Sequence, residues 1–224
     1  MKILEIEQPI QEGPNDPNIF KAIFLAGPPG AGKNQVVQWL GISNIGLKMQ
    51  DIDHTLAFLN KGKAPATPDY ARGERVTIKR QDIFAQNMLG LLINSTGRNY
   101  ESLMGLNKQL KTAGYDTMMI YVDVDYDVAV NRIGHREQYA TDPADKNRRV
   151  DLDYFKQAYA ATKQNLDFYA LMFGDHFALV TNNGNDTSLQ HDLRIANKKV
   201  SRFLNKPLTS TAQSILAQYK TATS

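Results

Sequence analysis

The chain has 224 residues with a formal net charge of +3, a length that indicates one domain. The mild positive charge does not by itself indicate a nucleic-acid-binding protein, although it allows a local basic site for a phosphorylated substrate. The lack of cysteine excludes disulfides and thiolate zinc sites. The acidic start and the lack of an apolar run of about 18 residues predict a cytosolic protein with no membrane span.

The predicted elements of the first half alternate between short apolar runs and amphipathic segments. Strands are predicted at 3–7, 21–26, 46–51 and 90–94. Helices are predicted at 33–40, 74–89 and 100–113, the last closed by Gly114. The apolar face of the 74–89 helix comprises Val76, Ile83, Phe84 and Met88. The stretch 61–73 is rich in Gly, Pro and polar residues, which predicts a loop.

The second half continues the alternation, with strands predicted at 117–124 and 176–182. Helices are predicted at 125–138, 152–173 and 189–204, the last stopped at Pro207. The 152–173 helix is the clearest, since a mostly apolar stripe steps along it by three and four residues. The stripe comprises Leu152, Phe155, Tyr159, Thr162, Leu166, Tyr169 and Phe173. A polar tail at 209–224 is expected to be mobile.

This alternation predicts an α/β fold with a parallel sheet of about five strands in a single domain, 1–208. In such sheets ligands bind at the carboxyl ends of the strands. The residues at those ends are therefore the candidates for a functional site. They are the segments 27–33, 51–53, 94–98 and 123–127.

A phosphate-binding loop of the form G-x-x-x-x-G-K follows the first apolar strand and precedes a helix, the context that this motif requires. Its residues are Gly27, Pro28, Pro29, Gly30, Ala31, Gly32 and Lys33. The glycines let backbone N–H groups converge on phosphate oxygens, and Lys33 reaches the β- and γ-phosphates of ATP or GTP. The next residue, Asn34, stands where such loops usually carry a Ser or Thr that ligates Mg²⁺. An amide oxygen can also bind a hard cation.

Carboxylates follow the second strand, where Asp51 and Asp53 face the phosphate loop. One could take a proton from an acceptor hydroxyl while the other organises the waters of Mg²⁺, which makes Asp51 and Asn34 the candidate metal ligands. The alternative is a helix N-cap followed by a first-turn acid, and the sequence favours neither. At the end of the third strand stands Asn94. Beyond it, Arg98 could clamp a phosphate or carboxylate of the substrate, or be a solvated loop residue.

A basic cluster follows the fourth strand. Arg132 and Arg136 share one helix face, and Arg148 and Arg149 follow a polar segment. Phosphoryl transfer needs positive charge around the migrating group, so 131–150 is predicted to be a lid that carries it. The alternative is a solvated basic face.

These motifs resemble the zeta-toxin group of P-loop kinases, and more closely the zeta-toxin-like kinases of tailed phages. The resemblance runs over about 21–182. Beyond the phosphate loop it rests on four segments: "QDIDHT" (50–55), "LLINSTGRN" (91–99), "LKTAGYDTMMIYVDVDYDVAVNRIGHRE" (110–137) and "RRVDLDYFKQAYAATKQNLDFY" (148–169).

The resemblance implies a three-layer fold of the nucleotide-kinase type, sheet order 2-3-1-4-5, and transfer of a γ-phosphate to a hydroxyl. Lys33 would then hold the donor phosphates and Asp53 would be the base. Arg98 would face the acceptor, and Arg132 and Arg136 would belong to the lid. Asn94 replaces the strand-end Glu that lies in the substrate region of zeta toxins, which argues against their UDP-linked amino sugar as the acceptor.

Three functions remain open from the sequence. The first is a kinase of a small acceptor, such as a nucleotide, nucleoside or sugar nucleotide. The second is a nucleotide-binding protein with a structural or regulatory role and little turnover, which the two asparagines favour and Lys33, Asp53 and the paired arginines oppose. The third is a polynucleotide or DNA-nucleobase kinase, which the charge permits without a basic stripe interleaved with aromatics to indicate it. The acceptor and the oligomeric state are not determined.

Overall fold

A five-stranded parallel sheet forms the centre of the molecule. The computed structural model describes residues 13–61, 67–139, 151–184 and 187–223. The strands are β1 Lys21–Ala26, β2 Lys48–Gln50, β3 Leu91–Asn94, β4 Asp116–Asp123 and β5 Phe177–Thr181. Their order is β2-β3-β1-β4-β5, as the resemblance implies. The strand predicted at 3–7 lies outside the described residues.

Parallel registers bring the ends of all five strands to one edge. Leu25 of β1 pairs with Asn94 of β3, and Ala26 of β1 pairs with Tyr121 of β4. The residues that end or directly follow the strands therefore meet there. They are Gly27, Asp51, Asn94, Asp123 and Asn182.

Helices cover both faces of the sheet, which gives the three layers expected. They are α1 Lys33–Trp39, α2 Ile52–Leu59, α3 Thr67–Gln86, α4 Tyr100–Thr112, α5 Tyr126–Tyr139, α6 Leu152–Gln164, α7 Leu166–Phe173, α8 Thr187–Leu204 and α9 Ser210–Thr223. Successive strand residues point to opposite faces, so Ile23 and Leu25 of β1 pack with α1 and α8, whereas Phe24 packs with α4 and α7. Both faces are apolar and buried, as a parallel sheet requires.

The loop predicted at 61–73 is wrong over its second part, because α3 begins at Thr67. Pro is well tolerated in the first turn of a helix, and the acid Asp69 there complements the helix dipole. The helix is also held by tertiary contacts, since the buried hydroxyl of Thr77 donates to that of Thr55 on α2 at 2.8 Å. The predicted apolar face is only partly right, since the side chain of Ile83 is 52% exposed.

The single helix predicted over 152–173 is two helices, α6 and α7, which meet at Asn165. Leu152 at the start of the predicted stripe is exposed, whereas Phe155, Tyr169 and Phe173 are buried as expected. The 209–224 tail also differs from the mobile segment expected, since most of it forms α9. Ala212 of α9 is fully buried in the apolar cluster beside α4.

Candidate functional site

The phosphate-binding loop leaves β1 and enters α1 in a conformation that its glycines permit. Gly27 and Gly30 have φ of 146° and 79°, values that side chains with a Cβ rarely adopt. A Cβ on Gly27 would lie 2.1 Å from the carbonyl oxygen of Val122, and one on Gly30 would lie 2.7 Å from that of Ala129. The loop is therefore packed directly against β4 and α5, and α1 begins at Lys33 with no side-chain cap on its first N–H groups. Such uncapped N–H groups at a helix start are suited to phosphate oxygens.

Lys33 is folded back onto its own loop. Its Nζ donates to the carbonyl oxygen of Gly27 at 2.9 Å. Burial lowers the pKa of Lys33 to about 8, and the nearby carboxylates of Asp51 and Asp53 act in the opposite direction, while Arg136 lowers it further. The charges of two acids and one arginine thus act on Lys33, and a bound polyanion would favour the protonated lysine.

Asp51 is the N-cap of α2. Its Oδ1 accepts from the backbone N–H groups of Asp53 at 2.7 Å and of His54 at 3.4 Å, and its side chain is buried. Asp53 occupies the first turn of α2 and is exposed. The cap interpretation is thus correct for Asp51, and it does not conflict with a role in a site. The cap fixes the start of α2, and with it the position of Asp53.

The two asparagines that depart from the usual P-loop pattern lie side by side. Asn94 Nδ2 donates one hydrogen bond to Asp51 Oδ2 and a second, at 3.4 Å, to Asn34 Oδ1. Asn94 Oδ1 is buried and has no hydrogen-bond partner, whereas Asn34 is exposed at the start of α1. The strand end therefore presents oxygen atoms from three side chains on neighbouring elements, one of them an unsatisfied acceptor.

Arg98 follows the end of β3 in a short loop and is exposed. Its guanidinium carbon lies 5.0 Å from the centre of the Tyr154 ring on α6, a cation–π contact. The carbonyl oxygens of Gly97 and Arg98 both accept from Asn165, at the α6–α7 junction. This loop is thus held from the helices beside it.

Arg132, predicted to lie in a lid, is tied to the phosphate loop. Its Nη1 donates to the carbonyl oxygen of Asn182 at 2.8 Å and to that of Gly30 at 3.4 Å, and its Nη2 donates to Asn182 Oδ1. Burial lowers the pKa of Arg132. Arg136, one turn further on, is exposed. The remaining predicted lid residues lie outside the described part of the chain: Arg148 and Arg149.

A family model described as zeta toxin matches residues 71–193, which is more than half of the chain. The chain belongs to the zeta toxin family. The matched segment contains Arg98 and Arg132, while the phosphate loop lies before it. No curated protein matches the sequence.

Solved structures share the fold of this zeta toxin family member at low identity. A putative kinase from Chloroflexus aurantiacus is 16% identical with a TM-score of 0.55, and the match covers 84% of this chain and 98% of that one. The PezAT toxin–antitoxin system of Streptococcus pneumoniae is 14% identical with a TM-score of 0.53, covering 87% and 89%. The AvrRxo1-ORF1:AvrRxo1-ORF2 complex with ATP is 11% identical with a TM-score of 0.57, covering 72% and 54%. This chain therefore spans about half the length of the AvrRxo1 chain that it matches.

Two residues that contact the candidate site were missed in the sequence. Asn182 directly follows β5, is buried, and donates through Nδ2 to the carbonyl oxygen of Ala31 in the phosphate loop at 2.8 Å. Its place after a strand end was the available signal. Asn165 gave no signal, because it lies beside the apolar stripe of a segment that was predicted to be one helix.

Within the described ranges, no helix is long and apolar enough to cross a membrane.

Proposed function

We propose that the protein is a phosphotransferase that moves the γ-phosphate of ATP or GTP to a hydroxyl group of a small acceptor. The observation that carries the proposal is the cluster at the end of the phosphate loop. Lys33 Nζ is held 2.9 Å from the carbonyl oxygen of Gly27, and the charges of Asp51, Asp53 and Arg136 act on that ammonium from other elements. Phosphoryl transfer depends on positioning and charge neutralisation, and this cluster supplies groups for both. The acceptor that we propose is a nucleotide, nucleoside or sugar nucleotide. We also propose that the protein is cytoplasmic and that it is most similar to the zeta-toxin-like kinases of tailed phages.

On the donor side, the uncapped N–H groups at the start of α1 and the ammonium of Lys33 would bind the phosphates. Arg132 holds the loop in shape through Gly30 and Asn182, so we assign it to loop positioning in this conformation. The exposed Arg136 is the better candidate for direct contact with a transferred phosphate. A structural neighbour that contains ATP, the AvrRxo1 complex, supports a nucleotide donor.

The residues near the loop also fit Mg²⁺, a hard cation that prefers oxygen ligands. Asn34 Oδ1 and Asp51 Oδ2 could hold it directly or through water, and the buried Asn94 Oδ1 lacks a partner and could accept from such a water. Bound there, the ion would neutralise charge on the donor phosphates. The positive charges of Lys33 and Arg136 do not depend on that geometry.

On the acceptor side, we assign Asp53 as the group that orients or deprotonates the hydroxyl. Asp53 is exposed in the first turn of α2, and its charge acts on Lys33, which supports a place for it near the end of the donor phosphates. Asp51 is less suited to proton transfer because both of its oxygens accept hydrogen bonds from the protein. Arg98, on the neighbouring strand end, would bind an anionic group of the acceptor.

The competing function is nucleotide binding without turnover. The two asparagines favour it, because Asn34 replaces the Ser or Thr usual in such loops and Asn94 replaces the strand-end Glu of zeta toxins. The third possibility, a polynucleotide or DNA-nucleobase kinase, differs in the acceptor alone. The test is incubation with γ-labelled ATP or GTP, Mg²⁺ and a panel of nucleosides, nucleotides, sugar nucleotides and DNA. A labelled product that Lys33→Ala abolishes and that Lys108→Ala, on the exposed face of α4, retains would support the proposal. Nucleotide binding with no labelled product across the panel would favour the competing function.

A further inference from the structure

The loop that carries Arg98 accepts two hydrogen bonds from one side chain, that of Asn165. Asn165 Nδ2 donates to the carbonyl oxygen of Gly97 at 3.0 Å and to that of Arg98 at 3.0 Å. A side-chain amide has two N–H hydrogens, and here each has its own acceptor. Asn165 lies 67 residues from Arg98 in the sequence, so these hydrogen bonds are tertiary contacts.

The fold does not need an asparagine at position 165. Its backbone has φ −83° and ψ −9°, a helical conformation that most residues adopt, and its side chain makes no capping hydrogen bond to α7. The backbone N–H is satisfied by Ala161 and Thr162. The whole donor capacity of the side chain is therefore directed at the Gly97–Arg98 loop.

Tyr169, one helical turn further on, donates a third hydrogen bond to the same loop. Its buried hydroxyl donates to the carbonyl oxygen of Gly97 at 2.8 Å, so that oxygen accepts two hydrogen bonds. Gly97 has φ 72°, and a Cβ there would lie 3.1 Å from Ala26 Cβ and 3.3 Å from the Tyr169 ring. The backbone preceding Arg98 thus lies close to β1 and α7, with little space for a side chain at Gly97.

The side chain of Arg98 rests on the same helical unit. Its guanidinium lies over Tyr154 of α6, and within the described ranges no carboxylate pairs with it. One face of the guanidinium is against the ring, while its N–H edges remain able to bind an anion in the bidentate manner that arginine favours. Arg98 is exposed, so such an anion can reach it.

We propose that Asn165 is a positioning residue, which together with Tyr169 and Tyr154 holds Arg98 ready to bind an anionic group, a phosphate or carboxylate, of the acceptor. The proposal deepens the proposed function, since it rests on Arg98 facing the acceptor. It specifies that the acceptor carries a negative charge in addition to its hydroxyl. The holding of the loop itself can be tested without turnover.

The experiment compares the wild type with Asn165→Leu, which removes both hydrogen bonds at similar size, and with Tyr169→Phe, which removes one. Asn205→Leu at the end of α8 is the matched control, because that amide donates only within its own helix. Hydrogen exchange is measured for the amides of Gly97 and Arg98. We expect exchange about 10–100-fold faster in Asn165→Leu, a smaller increase in Tyr169→Phe and none in the control.

The second measurement follows the Arg98 Nε–H resonance while inorganic phosphate is added, with Arg98→Lys identifying the signal. We expect the wild-type signal to shift and the half-saturating phosphate concentration to rise about tenfold in Asn165→Leu. If Asn165→Leu does not fold, the proposal is judged on Tyr169→Phe. The proposal would be overturned by unchanged hydrogen exchange in a folded variant. It would also be overturned if the wild-type Arg98 Nε–H resonance did not shift when phosphate is added. Neither measurement needs turnover, so a failure of the proposed kinase activity would be seen separately.

Discussion

The side-chain amide of Asn94 donates to Asn34 Oδ1 at 3.4 Å, across 60 positions of sequence. Asn94 also donates to Asp51, so the two departures from the usual P-loop pattern are neighbours in one hydrogen-bonded chain that ends on a carboxylate. A carboxylate at position 94 would have no hydrogen to donate to Asp51, and the two negative charges would repel each other. An amide there is therefore the residue type that is compatible with Asp51 as the buried cap of α2.

The Asn94→Asp variant tests this relationship at nearly constant volume. It replaces a donor with a second negative charge beside Asp51, and we expect the melting temperature at pH 8 to fall by roughly 2–10 °C. The pair of carboxylates would share a proton in the folded state, which raises a folded-state pKa, so the loss should shrink as the pH falls towards 5. Asn87→Asp is the control, because it also replaces an amide donor with a carboxylate, but that donor bonds to the backbone oxygen of Ile83 and not to a carboxylate. An equal loss at both pH values would contradict the charge argument.

The lowered pKa of Lys33 predicts how donor binding depends on pH. Only the protonated lysine attracts phosphate, and its pKa of about 8 means that binding must take up a proton above that pH. Calorimetric titration with ATP should therefore show affinity falling between pH 8 and 9.5, towards about tenfold per pH unit. Lys33→Arg, which stays charged, should lack this dependence over the same range. A flat profile for the wild type would place the phosphates away from Lys33.

The same pKa has a consequence for stability without nucleotide. The folded-state pKa of Lys33 lies below its ordinary value of 10.5, so the unfolded chain binds more protons between about pH 8 and 10.5. The contribution of this group to the free energy of unfolding therefore increases with pH over that interval, in contrast to its effect on ATP affinity.

Asp53→Asn tests the proposed proton acceptor on the true substrate. We expect turnover to fall by roughly 10²–10⁴, with nucleotide affinity nearly unchanged, because a general base acts on the chemical step. Asn34→Thr should change turnover modestly. Steady-state kinetics and ATP titrations of the two variants make the comparison. If Asp53→Asn keeps full turnover, Asp53 has only the helix-dipole role of a first-turn acid.

Arg132 and Arg136 share one helix face, and the structure gives them different surroundings. Arg132 donates to Gly30 and Asn182, whereas Arg136 is exposed. Arg132→Met removes three hydrogen bonds to Gly30 and Asn182, so we expect the melting temperature without nucleotide to fall by several degrees. Arg136→Met, its matched control on the same helix face, should change it by about 1 °C or less. Equal thermal stability of the two variants would show that the hydrogen bonds of Arg132 contribute little to the loop.

The sequence by itself determined the elements whose signals are local. The strands β1, β3, β4 and β5 are short apolar runs bounded by turns, and the phosphate loop is a contiguous motif whose glycines are needed by the backbone that carries them. Gly114, which closes α4, acts within a few residues of the chain. Such features can be read because their physical cause lies inside a short window.

The tertiary structure alone decided the features whose cause lies between distant segments. The segment 67–73, whose composition predicted a loop, is helical in contact with α2, where Asp69 accepts from Asn60 and Gly73 packs against Leu56, because tertiary contacts outweigh the small differences in helix propensity. The partners of Asn94, Arg132 and Asn165 lie 43 or more positions away in the sequence, across strand order and helix packing. A polar side chain reveals in the sequence only that it can donate or accept, and the folded backbone decides which group lies within hydrogen-bond distance of it.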